Sequence, residues 1–145
     1  MKEENKLKYN NYKEQFKRLD KAINNCFYLE AMFIAYAIME DRTESILSYE
    51  GNEIRSRNFV SINRKLNKIK SIAEERGSLP EKYFADDLID EILNWKEERN
   101  QLMHALMKQS LTTESLQTVA LKGKELARAL ANRATSYRRA VDRRK

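Results

Sequence analysis

The sequence predicts an all-α protein, a bundle of four or five helices in a single domain spanning residues 1–145, and three features carry that reading. Only three glycines and one proline, Pro80, punctuate the chain, so few tight turns or hairpins are available. Hydrophobic side chains make up 41% and charged ones 34%, the balance of helices that bury one face and hydrate the other. Apolar residues also recur at spacings of three and four along most of the chain.

Residues 3–21 read as a polar helix with a sparse apolar line of Leu7, Phe16 and Leu19, either separate from the next helix or running on into it. A second helix begins at about Asp20 or Asn25 and runs to Tyr49. Its segment CFYLEAMFIAYAIM is the most apolar of the chain and marks it as the central helix, with Gly51 as its stop. The basic connection NEIRSRNFVS leads to a short helix over Ser61–Arg76, capped by Ser61 and ended by Gly77. SLPEKY is a turn signal built on Pro80, ahead of a helix from Glu81 or Asp86 to Lys108. Thr112 or Thr113 opens a last helix reaching Arg138 or beyond, whose inward line through Ala120, Gly123, Ala127 and Ala134 is small enough for another helix to come close.

A formal charge of +6 favours acidic partners such as nucleic acid. Two basic stretches suit a phosphate backbone. Arg55, Arg57, Arg64, Lys65 and Lys68 are candidate RNA-binding residues, while residues 138–145 hold five cations and also read as a frayed, solvated end. No aromatic platform with single-strand-binding spacing is apparent. Cys26 stands alone, which excludes an internal disulfide and suits a reducing compartment. One histidine and one cysteine exclude a Cys/His zinc site within the chain, and no metal or cofactor is expected. No run of 18 apolar residues exists, so the expectation is a soluble, cytoplasmic protein without a membrane partner.

Two charges interrupt two apolar stripes. The stripe Leu88, Ile92, Trp95, Leu102 and Leu106 requires an apolar residue at position 99 and has Arg99. In the central helix Cys26, Leu29, Phe33, Tyr36, Thr43 and Leu47 follow the same rhythm, and Glu40 breaks it. An unpaired guanidinium on an apolar face costs several kcal/mol, so Arg99 needs a carboxylate, a cavity or a partner molecule. Two opposite charges on two stripes predict that these helices pack together and that Glu40 orients Arg99. On helix geometry Asn100 and His104 lie about 40° apart, and Arg99 and His104 about 140° apart. Either Arg99 curls round, the helix is distorted, or a second copy completes the site across a two-fold axis.

The string Arg99-Asn100-Gln101-Leu102-Met103-His104 resembles the motif of the HEPN superfamily: an arginine, a polar residue that is often Asn, Asp or His, three to five further residues, and a histidine. The motif covers six residues and falls on the penultimate long helix. The resemblance implies a helical bundle that pairs so that two motifs face each other in one composite RNA-cleaving site. Many such proteins are toxins or antiviral effectors, so it also implies an antitoxin partner or a defence role. In one subset of these toxins, regulated through a tyrosine, that residue lies two positions after the histidine; here it is Leu106, which argues against such regulation.

The chemistry the motif implies needs no metal. RNA carries its own nucleophile in the 2′-hydroxyl, so cleavage requires a proton carrier, a cation for the crowded phosphorane and fixed geometry. His104 is the acid or base, since imidazole is the one side-chain type that ordinarily titrates near neutrality. Arg99 holds the scissile phosphate through its forked donors, and Asn100 positions the phosphate or the ring. The competing reading is a non-catalytic helical module that binds RNA or protein with the same fold.

Overall fold

Local chemistry sets most helix ends. In the structure, a computed structural model describing residues 3–51 and 61–145, the described residues form six helices and no strand. These are α1 (Glu3–Asn24), α2 (Tyr28–Tyr49), α3 (Ile62–Ala73), α4 (Leu79–Phe84), α5 (Leu88–Ala105) and α6 (Thr113–Arg143). As expected, Ser61 caps α3 by accepting from the Arg64 N–H, and Thr112 caps α6 by accepting from the Ser115 N–H. Gly77 follows α3 with a φ of +78° that a side chain would resist.

α3 ends at Ala73 rather than Arg76 and α5 at Ala105 rather than Lys108, and two boundaries differ more. SLPEKY is a short helix rather than a turn. Ser78 accepts from the Glu81 N–H while the Glu81 carboxylate accepts from the Gly77 N–H, and Pro80 occupies the first turn, where its missing N–H leaves no bond unmade. The polar first helix also stops short of the second. The N–H of Phe27 reaches the carbonyl of Ala22 and that of Cys26 the carbonyl of Ile23, the double bond of a helix C-terminus, with Cys26 itself at a φ of +61°.

α2 is the central helix, packed chiefly on α6 and α1 and also on α3. Its buried face runs through Ala31, Met32, Ala35, Ile38, Met39, Thr43, Ile46 and Leu47, so the stripe read from the sequence holds at Thr43 and Leu47 and is about one residue out of step in the N-terminal half. Cys26, Leu29 and Phe33 lie on the outside, Phe33 at 67% exposure. The sequence stripe slipped because α2 is apolar nearly all round, so periodicity alone does not select which face the bundle covers.

α6 behaves as its small-residue line predicts. Ala120, Gly123, Ala127, Leu130, Ala134 and Tyr137 are all buried. The close neighbour is the indole of Trp95 on α5, whose Nε1 donates to the Val119 carbonyl at 2.8 Å. The end of α6 is not frayed: the helix continues to Arg143, Ala140 is buried and Val141 packs on the core. Further along, Arg133 donates to the Tyr83 carbonyl and to the Asp86 carboxylate, tying α4 to α6. The guanidinium holds the Asp86 carboxyl below the usual carboxylate range.

The Tyr137 ring meets Tyr83 and Phe84 edge-on, at 6.0 and 5.4 Å between centroids, and its buried hydroxyl has no hydrogen-bond partner. Burying an unsatisfied hydroxyl is unfavourable by about 1–3 kcal/mol. Tyr137→Phe is therefore expected to raise stability by about 1 kcal/mol. A chemical denaturation midpoint that falls instead would mean that the hydroxyl is satisfied. No helix among the described residues is long and apolar enough to cross a membrane.

Candidate active site

The last two turns of α5 carry Arg99, Asn100 and His104. Trp95, one turn earlier, is sealed in the core, and Leu102 and Met103 lean on the core from the same segment. Arg99 therefore sits at the edge of the apolar interior. Its guanidinium stacks on the ring of Tyr36 from α2, 4.5 Å from the centroid. One terminal nitrogen donates to the Asn100 side-chain oxygen at 3.3 Å, and its Nε is buried without a hydrogen-bond partner.

His104 lies one turn beyond Asn100 and is exposed. Arg99 and Asn100 are thus brought into contact, and no hydrogen bond joins His104 to either. This is the outcome expected of a straight helix, on which Asn100 and His104 share a side and Arg99 points elsewhere.

Glu40 does not pair with Arg99. Its carboxylate is 4.0 Å from the ammonium of Lys65, and Tyr36, one turn earlier on α2, takes the place opposite the guanidinium. A planar cation packs on a ring face with little desolvation of its rim, whereas Lys65 reaches the α2 carboxylates from α3. Burial pushes the Tyr36 phenol up, with the nearby Glu40 charge adding to it and Arg99 and Lys65 opposing it. Tyr36 was the residue missed in the sequence. It stands in the same stripe as Glu40, and the preference of arginine for aromatic faces was the available signal.

The basic cluster divides. Lys65 is only 4% exposed and its ammonium pairs with Glu44 and Glu40, so it is a buried ion-pair residue and not an RNA contact. Four methylenes carry its charge out of the core to two half-exposed carboxylates, which explains how a lysine is tolerated there. Arg64 and Lys68 are exposed and form no ion pair among the described residues. Arg55 and Arg57 lie outside the described residues.

Among the described residues no three His, Cys, Asp or Glu side chains converge to hold a metal ion. No protein-family model, curated protein or solved structure matches the chain.

Proposed function

We propose that the chain is a HEPN-like endoribonuclease that cleaves RNA through its own 2′-hydroxyl, at a composite site formed by two copies. The observation that carries this reading is Arg99, a guanidinium at the edge of the core that forms no ion pair among the described residues and touches Asn100, one turn from an exposed imidazole. A cation at a protein edge without a carboxylate is poised for a phosphate. His104 then moves the proton, Asn100 aligns the guanidinium or the phosphate, and Tyr36 holds the guanidinium flat. Glu40 acts on this site only at a distance, through the charge it shares with Tyr36 and Lys65.

Pairing is supported by the outward face of α2. Leu29 and Phe33 are exposed on the same helical side as Tyr36, so an apolar strip leads up to the Arg99 stack. Exposed apolar strips of this kind mark association surfaces. A two-fold contact along it brings two motifs toward each other and supplies the groups that one α5 cannot aim at a single point. A toxin or antiviral role, with an antitoxin as a further partner, rests on the resemblance alone, and action in the cytoplasm rests on the lone Cys26 and the absence of an 18-residue apolar run in the sequence.

Incubation of the purified chain with RNA in EDTA is the test. The expected products carry 2′,3′-cyclic phosphate and 5′-hydroxyl ends, and DNA of the same sequence stays intact because it lacks the nucleophile. Phe33→Glu is expected to yield a monomer by analytical ultracentrifugation and to abolish cleavage. RNA left intact by the dimer, or full activity in a monomeric Phe33→Glu protein, would refute the composite site and favour the non-catalytic binding module.

A further inference from the structure

A groove between the N-terminal half of α1, the C-terminal half of α2 and the last third of α6 lies on helix segments that carry none of the motif residues. Its volume is about 1220 Å³, larger than the few hundred to roughly 1,000 Å³ of sites that take one small molecule. The floor is a stacked pair, with the Arg42 guanidinium 4.0 Å from the centroid of the Tyr12 ring. Arg42 is only 8% exposed, and its Nε also donates to the Tyr12 hydroxyl at 2.5 Å. One turn away on α1, Tyr9 projects into the mouth at 62% exposure.

The charges on this groove are unequal in what they leave free. Asp41 accepts from the Tyr12 hydroxyl and pairs with Arg42 at 3.0 Å and Lys8 at 3.8 Å, while Glu44 pairs with the buried Lys65. Two of the three carboxylates lining the groove are therefore already neutralised, leaving Asp142. Arg138, Arg139 and Lys145 line the α6 side and form no ion pair among the described residues. Arg138 and Arg139 stand on an ordered helix anchored by Ala140, so their placement along the groove is part of the fold, while Lys145 follows the end of α6.

We propose that this groove binds a stretch of single-stranded RNA away from the cleavage site, with phosphates on Arg138 and Arg139 and an unstacked base on Tyr9. The inference rests on the RNA-cleaving reading for the class of ligand, and on the groove itself for the mode of binding. A positively charged trough with an exposed ring suits a single strand, because every base has a face to stack and a backbone charge to neutralise, whereas the bases of a duplex are already stacked. The chain thereby holds its substrate by backbone and stacking, without selecting a sequence.

The test is fluorescence anisotropy with a labelled single-stranded RNA oligomer, in a His104→Ala background that prevents turnover. Arg138→Gln/Arg139→Gln is expected to weaken binding by at least tenfold and to reduce the slope of log affinity against log salt by about 1.4, the value for two lost phosphate contacts on a single strand. Tyr9→Ala is expected to weaken binding about fivefold or more. Lys17→Gln/Lys21→Gln removes the same charge from exposed positions outside the groove and is expected to change affinity less than twofold. Undiminished binding by the double-arginine variant, an equal loss in the lysine control, or equal competition by duplex RNA would overturn the proposal. A parent chain that leaves RNA intact yet binds it through Tyr9 and the two arginines upholds the groove and sinks the nuclease. A parent chain that cleaves RNA while the groove variants bind undiminished does the reverse.

Discussion

His104→Ala is expected to slow RNA cleavage by about 10²–10⁴, the contribution of a positioned acid or base. The same variant should keep its melting temperature within about 1–2 °C, because the imidazole is exposed and surface substitutions of this kind change stability by about 0.5 kcal/mol or less. Arg99→Met is its complement. Methionine matches the aliphatic stem of arginine and removes a buried Nε without a hydrogen-bond partner, while giving up the guanidinium stack on Tyr36, so the two effects offset and stability is expected to stay within about 1 kcal/mol of the parent. Cleavage is expected to fall by about 10²–10³, the usual effect of losing one charged stabiliser of a transition state. Initial rates in EDTA and thermal melts on the same preparations read both quantities. Parental rates in either variant would remove its side chain from the mechanism, and an unfolded Arg99→Met protein would make the arginine structural.

Gly123→Val is expected to destabilise the bundle by about 3 kcal/mol or more, at the upper end of overpacking effects. A Cβ at this position would stand 2.5 Å from Cζ2 of Trp95, a separation that non-bonded carbons do not tolerate, and the indole is held in place by its hydrogen bond to the Val119 carbonyl. At about 3 °C per kcal/mol for a chain of this size, the melting temperature should drop by about 10 °C. Gly123→Ala separates the two opposing effects. Alanine favours a helix interior by about 1 kcal/mol over glycine, so a net loss despite that gain isolates the clash. Pairing Gly123→Ala with Trp95→Phe should recover part of the loss in a double-mutant cycle. A Gly123→Ala protein stabilised by the full helix-propensity increment would mean that α5 and α6 stand further apart than the structure has them.

The helix boundaries were largely legible because their causes are local. Ser61, Thr112 and Gly51 act on backbone groups within four residues of themselves, and they cap or end helices where the pattern placed them, whereas α3 ends at Ala73, four residues before Gly77. Ser78 and Glu81 follow the same local logic, but Pro80 was read as a turn residue and outweighed their capping spacing. Face selection was not local. α2 is apolar on nearly every side, and only the packing of α6 and α1 decided that Met32 and Met39 go in while Leu29 and Phe33 stay out. Among the candidate site residues, the break in the α5 stripe located Arg99 correctly at the edge of the core. Its neighbour is Tyr36 rather than Glu40 because the two stand one turn apart on the same stripe, and which of them meets the guanidinium depends on how α2 is rotated against α5.

The amino-acid sequence by itself determined the all-helical class, the ends of most helices, the close approach at Gly123 and the placing of Arg99, Asn100 and His104 on one helix. The class, the helix ends and the shared helix follow from interactions within a turn or two, which spacing encodes directly, and the close approach follows from the small side chains that the same spacing lines up on one face of α6. Only the tertiary structure decided that Lys65 is buried against Glu44, that Arg99 rests on Tyr36, and that Tyr9 faces Arg138 and Arg139 across a groove. Those pairings join helices far apart along the chain, and their geometry depends on how the helices cross and rotate, which no periodicity within a single helix contains.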